Sequence, residues 1–103
     1  VGAWIAEHEL NVTHPDVLNA MRYHTTGRAN MSHLEKIIYV ADMLEPNRQF
    51  PGVDDLRQMM YDGLNEVFEA CVKHALIHLI SSGIAVFPQS IECYNDIMSS
   101  ERN

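Results

Sequence analysis

Basic residues are scarce in this sequence of 103 residues. It carries seven Lys and Arg side chains against fourteen Asp and Glu, for a formal net charge of −7. A surface that binds nucleic acid non-specifically must neutralise phosphates with many Lys and Arg side chains. We therefore expect no nucleic-acid partner.

Cysteines, long apolar runs and an export signal are also rare or missing. Cys71 and Cys93 stand far apart, without a C-x-x-C spacing, and no window reaches the roughly 18 unbroken apolar residues of a membrane span. The first ten residues, VGAWIAEHEL, contain neither an initiator Met nor a basic stretch followed by a long apolar core. We expect a cytoplasmic protein without a membrane segment, with both thiols reduced and Cys71 buried as a small core residue.

The apolar residues that are present recur at helical spacing. Hydrophobic residues make up 47% of the chain and charged residues 20%, which is typical of a globular protein of one domain at most. No stretch shows a convincing strand-type alternation. This pattern predicts an all-α bundle of about five helical segments: the end of a helix over 3–10, a helix from Thr13 to about Thr26, a third from Ser32 to Pro46, a long one from Asp54 or Asp55 to near Gly83, and a last one capped by Ser90.

Short-range signals support two of these boundaries. Gly27 suits the left-handed residue that ends a helix. Ser32 and Glu35 have the S-x-x-E spacing of a capping box, in which each side chain binds the other residue's backbone amide at a helix start.

A carboxylate lies inside the most apolar run of the chain, IIYVADML over 37–44. An ionised carboxylate costs several kcal/mol to bury unless it is paired, hydrogen-bonded or bound to a metal. Asp42 therefore either reaches solvent or has a partner.

His24 is a candidate member of the same site, at the end of a predicted helix and followed by Thr25, Thr26 and Gly27. Carboxylate oxygen and imidazole nitrogen together suit Mn, Fe, Zn or Mg, and a metal-bound water could attack a phosphate. Catalytic metals usually take at least three protein ligands, so two candidates do not complete a site. The alternative is a histidine whose hydrogen bonds are satisfied within a turn.

Arg48 adds a candidate phosphate ligand. It lies in the segment EPNRQFPGVDD over 45–55, whose two prolines and glycine predict a loop. A guanidinium held in such a loop can fork onto phosphate oxygens. The alternative is a surface ion pair with Asp54 or Asp55.

The other histidines have simpler explanations. His8, His14 and His33 lie at or beside predicted helix ends, where solvent exposure is enough to account for them. His74 and His78 form an i,i+4 pair that could grip a metal, but no Glu accompanies them in an H-E-x-x-H pattern. We expect both to flank the apolar stripe of the long helix.

A longer pattern resembles a known family. The string HTTG at 24–27, followed by MSHLEKIIYVADMLEPNRQFPGVDDLR at 31–57, is similar to the diagnostic half of the YqeK-type HD-domain hydrolases, bacterial enzymes that cleave diadenosine tetraphosphate symmetrically into two ADP. The similarity extends from VGA at the start to FPQS and Tyr94-Asn95 near the end. The EPNR-FPGV pattern is long and chemically unusual, and it is far more specific than a short motif.

The resemblance implies an all-α HD fold and a set of site residues. In that family a divalent metal is held by an early histidine, an adjacent His-Asp doublet and a late aspartate, and Asp42 matches the late aspartate as metal ligand and catalytic residue. His24 matches a histidine near the metal and phosphates, with a catalytic and a substrate-binding role, and Arg48 matches a phosphate-binding arginine. The resemblance also places along the nucleotide the residues Ala85, Val86, Phe87, Pro88, Gln89 and Ser90. The implied metal is iron, with Mn, Zn or Mg as alternatives, and the implied partner is a nucleotide substrate.

The sequence departs from the family at the doublet. No adjacent His-Asp pair occurs in the 103 residues, so the chain resembles only the C-terminal portion of a single HD-type domain, and its metal site is expected to be incomplete. We expect a homodimer, or a complementing N-terminal half, to cover the apolar helix faces. Two alternatives stay open: an HD phosphohydrolase acting on another nucleotide, and a non-catalytic helical module that binds a nucleotide or a protein.

Overall fold

The structure, a computed structural model, describes residues 14–101. These residues form five α-helices and no strand, which confirms the predicted all-α class. The helices are α1 (Pro15–Tyr23), α2 (His33–Met43), α3 (Val53–Met59), α4 (Leu64–Ser81) and α5 (Pro88–Glu101), with one 3₁₀ turn at Met60–Asp62. The helix expected over 3–10, the start at Thr13 and His8 lie outside the described residues.

Helix α2 starts as predicted and ends earlier than predicted. The Ser32 hydroxyl accepts a hydrogen bond from the Glu35 amide at 3.2 Å, and the Glu35 carboxylate accepts one from the Ser32 amide at 2.9 Å. The helix ends at Met43, before Pro46, because the residue preceding a proline is disfavoured in the helical region and the turn tightens ahead of it. Asp42 therefore lies in the last turn of α2 and not in its middle.

Helix α1 ends at Tyr23 and not at Thr26, because residues 24–26 already form a turn. Gly27 closes this turn in the left-handed conformation, at φ +71°, and its amide donates to the Tyr23 carbonyl at 2.9 Å. A Cβ atom at position 27 would lie 2.9 Å from the Cys93 sulfur. Glycine is thus required at this position both by the backbone conformation and by the close approach of α5.

The long helix predicted from Asp54 or Asp55 to near Gly83 is in fact two helices. The chain breaks at Gly63, whose φ of +124° and ψ of 159° belong to a region that only glycine adopts readily. The apolar spacing continues through the break because α3 and α4 face the same core. The spacing alone therefore does not reveal the break. The predicted cap at Ser90 is also wrong, since α5 begins at Pro88 and a proline fits the first position of a helix.

The core lies between α2 and α4, with α3 and α5 closing its sides. Cys71 has no exposed surface, and Cys93 is almost as deeply buried; both are free thiols, as predicted. The rings of Tyr39 and Phe68 meet edge to face at 5.5 Å between centroids. None of the helices between residues 14 and 101 is long and apolar enough to cross a membrane.

One carboxylate, that of Glu35, is fully buried near the start of α2. Besides its bond to the Ser32 amide, it accepts two hydrogen bonds from the Arg28 guanidinium, at 2.7 and 3.2 Å. The Arg28 guanidinium in turn lies 5.1 Å from the ring centroid of Tyr23, the last residue of α1. This cluster fixes the loop that leads from α1 to α2, and with it the turn that contains His24.

Candidate active site

A cavity of about 580 Å³ opens beside the C-terminal end of α2. Its walls come from four parts of the chain: the turn after α1, the last turn of α2, the loop over 44–52 and the C-terminal half of α4. His24, Asp42 and Arg48, the three principal residues predicted from the sequence, all border it. The fold therefore brings these three residues, which span 24 positions of the chain, to one cavity.

Asp42 is paired with Arg48. The Arg48 guanidinium donates to the Asp42 carboxylate at 3.3 Å and lies 4.0 Å from the Glu45 carboxylate. The Asp42 side chain is about one-third exposed, so solvent and the cation together account for a carboxylate in an apolar run. The alternative of an ion pair for Arg48 is therefore correct in kind, but the partners are Asp42 and Glu45 and not Asp54 or Asp55. Asp54 is paired with Arg57 on its own helix at 3.3 Å.

His24 is oriented by a hydrogen bond to helix α1, which ends just before it. Its Nδ1 atom lies 2.8 Å from the Met21 carbonyl oxygen. Because a carbonyl can only accept, Nδ1 must carry the proton, and the neutral ring then has its lone pair on Nε2. Histidines that bind a metal or accept a proton commonly use one ring nitrogen in this way while the other is held by the backbone. Since Asp42 and His24 border the same cavity, we also predict that the Asp42 carboxylate is directed toward His24.

The sequence prediction missed part of the cavity wall. His74 and His78 were expected only to flank the apolar stripe of their helix, but both border the cavity. His74 is half-buried, and its ring lies 4.9 Å from that of Phe50 at an angle of 41°. The i,i+4 spacing of His74 and His78 is the sequence signal that they share one face of α4. No neighbouring residue in the sequence indicates that this face borders the loop over 44–52. His14 and His33, by contrast, are exposed as predicted.

Tyr39 closes the apolar wall of the cavity from α2. Burial, together with the nearby thiols of Cys93 and Cys71, raises the pKa of its hydroxyl above the ordinary value. The phenol therefore stays protonated at neutral pH and can act only as a neutral hydrogen-bonding group.

The segment implied to lie along a nucleotide is outside the cavity wall. Ala85, Phe87, Pro88 and Gln89 are exposed, Val86 packs against the core, and Ser90 donates to the Thr26 carbonyl at 2.8 Å. Ser90 thus contacts the turn that contributes Thr25 to the cavity wall, but it does not border the cavity itself. A substrate-binding role for residues 85–90 stays a prediction.

The described residues do not make up a metal site by themselves. Among residues 14–101, no group of three or more His, Cys, Asp or Glu side chains is placed to hold an ion. The cavity offers one carboxylate that is already paired with a guanidinium, and imidazoles that do not converge with it into such a group. A catalytic metal usually needs at least three protein ligands.

Comparison with a solved structure identifies the fold class of the chain. The chain superposes on a crystal structure from Clostridium acetobutylicum, described as a predicted HD superfamily hydrolase involved in NAD metabolism, with a TM-score of 0.89, 40% sequence identity, and coverage of 96% of this chain and 52% of that one. No protein-family model matches the chain. At this identity and TM-score, the all-α fold is that of part of an HD-superfamily hydrolase.

Curated relatives narrow the class further. The chain is 43% identical to the symmetrical bis(5′-nucleosyl)-tetraphosphatase of Bacillus subtilis over 96% of its own length, and 39% identical to that of Halalkalibacterium halodurans over 98%. These matches cover 53% and 54% of the two relatives, so the chain spans about half the length of the curated relatives it matches. Over that half, the resemblance to the YqeK-type enzymes is confirmed.

Proposed function

We propose that this chain is the C-terminal portion of an HD-type hydrolase that cleaves diadenosine tetraphosphate symmetrically to two ADP. The observation that carries the proposal is the convergence of His24, Asp42 and Arg48 on one cavity. The names of the curated relatives supply the reaction and substrate, and the cavity has the volume of a small-molecule site.

The cavity combines the two kinds of group that a nucleotide requires. Arg48 can fork onto phosphate oxygens, and its side chain is about half exposed, so it can exchange Asp42 for a phosphate at little cost in desolvation. The Phe50 and His74 rings form an aromatic wall on which a base can stack. His24 presents Nε2 as an acceptor for a proton or as a ligand.

For the metal, we propose that Asp42 is one ligand of a divalent ion, iron first, with manganese, zinc or magnesium as alternatives. Since residues 14–101 hold no complete ligand set, the other ligands would come from the part of the longer relatives that this chain does not cover. A bound divalent ion would supply an activated water and neutralise phosphate charge.

We further propose that the chain works with a second polypeptide segment, either another copy or a complementing N-terminal half, in the cytoplasm. The apolar side chains of Val17, Ile37 and Ile38 on α1 and α2 are exposed, and each Å² of such surface that is buried contributes roughly 25 cal/mol. Light scattering at micromolar concentration should show a dimer, or a complex once the complementing half is added. A compact monomer that binds no hydrophobic dye would contradict this.

Two measurements test the proposed reaction. Titration of the chain with ADP, followed by amide NMR, should perturb the backbone of residues around 24, 42 and 48. Diadenosine tetraphosphate should be hydrolysed feebly or not at all by the chain alone. Turnover should appear when the half of the Bacillus subtilis relative that lies outside the match is added with iron or manganese. Robust turnover by the chain alone would show that the ligands are misassigned.

A non-catalytic nucleotide-binding module is the second candidate, favoured by the absence of a three-ligand cluster from residues 14–101. Metal content of the complemented protein separates the two. One bound transition metal per complex supports the hydrolase, whereas ADP binding without any metal or turnover supports the module. Products from other dinucleotides would identify a hydrolase with another substrate.

A further inference from the structure

We propose that Arg57 is a positioning residue that holds Asp42 and Arg48 in their shared geometry. This inference rests on the proposed function, because it assigns a role to Arg57 through the phosphate-binding group Arg48. Arg57 lies on α3, and its side chain is about one-quarter exposed. It is not among the residues that border the cavity.

The Arg57 guanidinium donates to three backbone carbonyls of the neighbouring loop. Its Nη2 atom bonds the carbonyl oxygens of Glu45 at 2.9 Å and Arg48 at 2.8 Å. Its Nε atom bonds the carbonyl oxygen of Leu44 at 3.3 Å. The remaining Nη1 atom bonds the carboxylate of Asp54, which is almost fully exposed, at 3.3 Å.

These carbonyls follow the end of α2, and the one at Glu45 also accepts a hydrogen bond from the Arg48 amide at 2.9 Å. The last turn of a helix has carbonyl groups without a partner in the helix, and they carry partial negative charge. The loop that follows contains Pro46, which has no amide to offer. The partly buried guanidinium from α3 adds charge-assisted donors to this loop and suits the negative end of the α2 dipole.

The two residues of the site lie at or near the carbonyls that Arg57 holds. Asp42 lies two residues before Leu44 in the last turn of α2, and Arg48 is itself one of the three acceptors. Fixing Leu44 and Arg48 against the same guanidinium therefore fixes the distance between the backbones that carry the carboxylate and the phosphate-binding cation. A displacement of about 1 Å at such a site can cost a hundred-fold in rate.

Lysine cannot reproduce this arrangement. Its ammonium is a single point at the end of a flexible stem, whereas the planar guanidinium reaches the three carbonyls from two nitrogens with fixed directions. A role that depended only on positive charge would survive Arg57→Lys, and a role that depends on the fork would not. The exposed Asp54 pair should contribute little.

The test is a double-mutant cycle on the 103-residue chain, with ADP as the probe and amide NMR as the measurement. Arg57→Lys should weaken ADP binding about ten-fold in the wild-type background, by loss of a charge-assisted contact. In an Arg48→Ala background the same change should have no further effect, although it still lowers the melting temperature. Asp54→Asn is the matched control and should bind ADP like the wild type.

Two outcomes would overturn the proposal. One is unchanged ADP affinity in a folded Arg57→Lys variant, and the other is an equal loss in both backgrounds, which would mean that Arg57 acts independently of Arg48.

A second readout needs no ligand. Backbone order parameters of residues 44–48 should be about 0.85 in the wild type and fall below about 0.6 in Arg57→Lys, with Asp54→Asn unchanged. If the wild-type chain does not bind ADP, the proposed function fails for this chain, and the order parameters alone decide the role of Arg57. A loop that stays equally rigid in Arg57→Lys would refute it.

Discussion

The Asp42 carboxylate, in the last turn of α2, accepts a hydrogen bond at 3.3 Å from the Arg48 guanidinium in the loop that follows. Each side chain thereby neutralises the other in a cavity that would also receive phosphate. A phosphate must compete with Asp42 for Arg48, and a cation must compete with Arg48 for Asp42.

Replacing the Asp42 carboxylate should therefore affect nucleotide binding and hydrolysis differently. We expect Asp42→Asn to retain or improve the affinity of the chain for ADP, by up to roughly five-fold, because Arg48 no longer leaves an exposed ion pair to reach the phosphate. Calorimetry with ADP measures this. In the complemented protein the same variant should lose metal-dependent hydrolysis. Weaker ADP binding by Asp42→Asn would mean that the carboxylate contacts the nucleotide.

Loss of the buried Glu35 carboxylate should destabilise the whole chain. Glu35→Ala removes the capping partner of Ser32 and takes from the half-buried Arg28 guanidinium a hydrogen bond of 2.7 Å. We expect a loss of about 2–3 kcal/mol in the free energy of unfolding, measured by urea denaturation. Glu69→Ala is the control, because it breaks an i,i+4 pair with Lys73 at 2.8 Å that is worth about 0.5 kcal/mol. Equal losses of unfolding free energy in the two variants would contradict a larger stabilisation by the buried Glu35 carboxylate.

Alanine substitutions at two glycines distinguish the cost of backbone strain from the cost of close packing. Gly27 and Gly83 have nearly the same φ, +71° and +70°, so alanine at either position pays a similar cost of about 1 kcal/mol. At position 27 the new Cβ also meets the Cys93 sulfur at 2.9 Å, whereas at position 83 it meets nothing within 4 Å in the described part of the chain. Gly27→Ala should cost about 1–3 kcal/mol more in urea unfolding than Gly83→Ala. Matching losses would contradict the close approach of α5.

Stability should fall on the alkaline side. Burial raises the pKa of the Cys71 thiol to about 12 and that of the Cys93 thiol to about 11, from an ordinary value of 9.0. The folded chain then keeps protons that the unfolded chain loses, so the stabilisation is complete below about pH 9 and disappears as the pH rises through 11 to 12. Urea midpoints between neutral pH and about pH 10.5 measure this fall. In Cys71→Ala the fall should be shallower, and a midpoint independent of pH in the wild type would contradict the burial of the thiols.

Local signals in the sequence predicted the helix boundaries that depend on a few neighbouring residues. The capping box of Ser32 and Glu35 and the left-handed Gly27 are both present, because each is decided by contacts within about four positions. The prediction failed at Gly63, where the apolar spacing continues across a break in the helix. It also failed at Ser90, whose hydroxyl bonds the distant Thr26 carbonyl and does not cap its own helix.

The sequence alone pointed to the three principal residues of the candidate site. Each is unusual in its own surroundings: Asp42 in an apolar run, His24 before a turn and Arg48 in a proline-bounded loop. The sequence did not show how they come together, because that depends on how α2 and α4 pack and on which face of α4 borders the loop over 44–52. Only the tertiary structure placed His74 beside Phe50, paired Arg48 with Asp42 and aimed Arg57 at three carbonyls. These relationships join residues from different elements, and the packing of the core between those elements decides them.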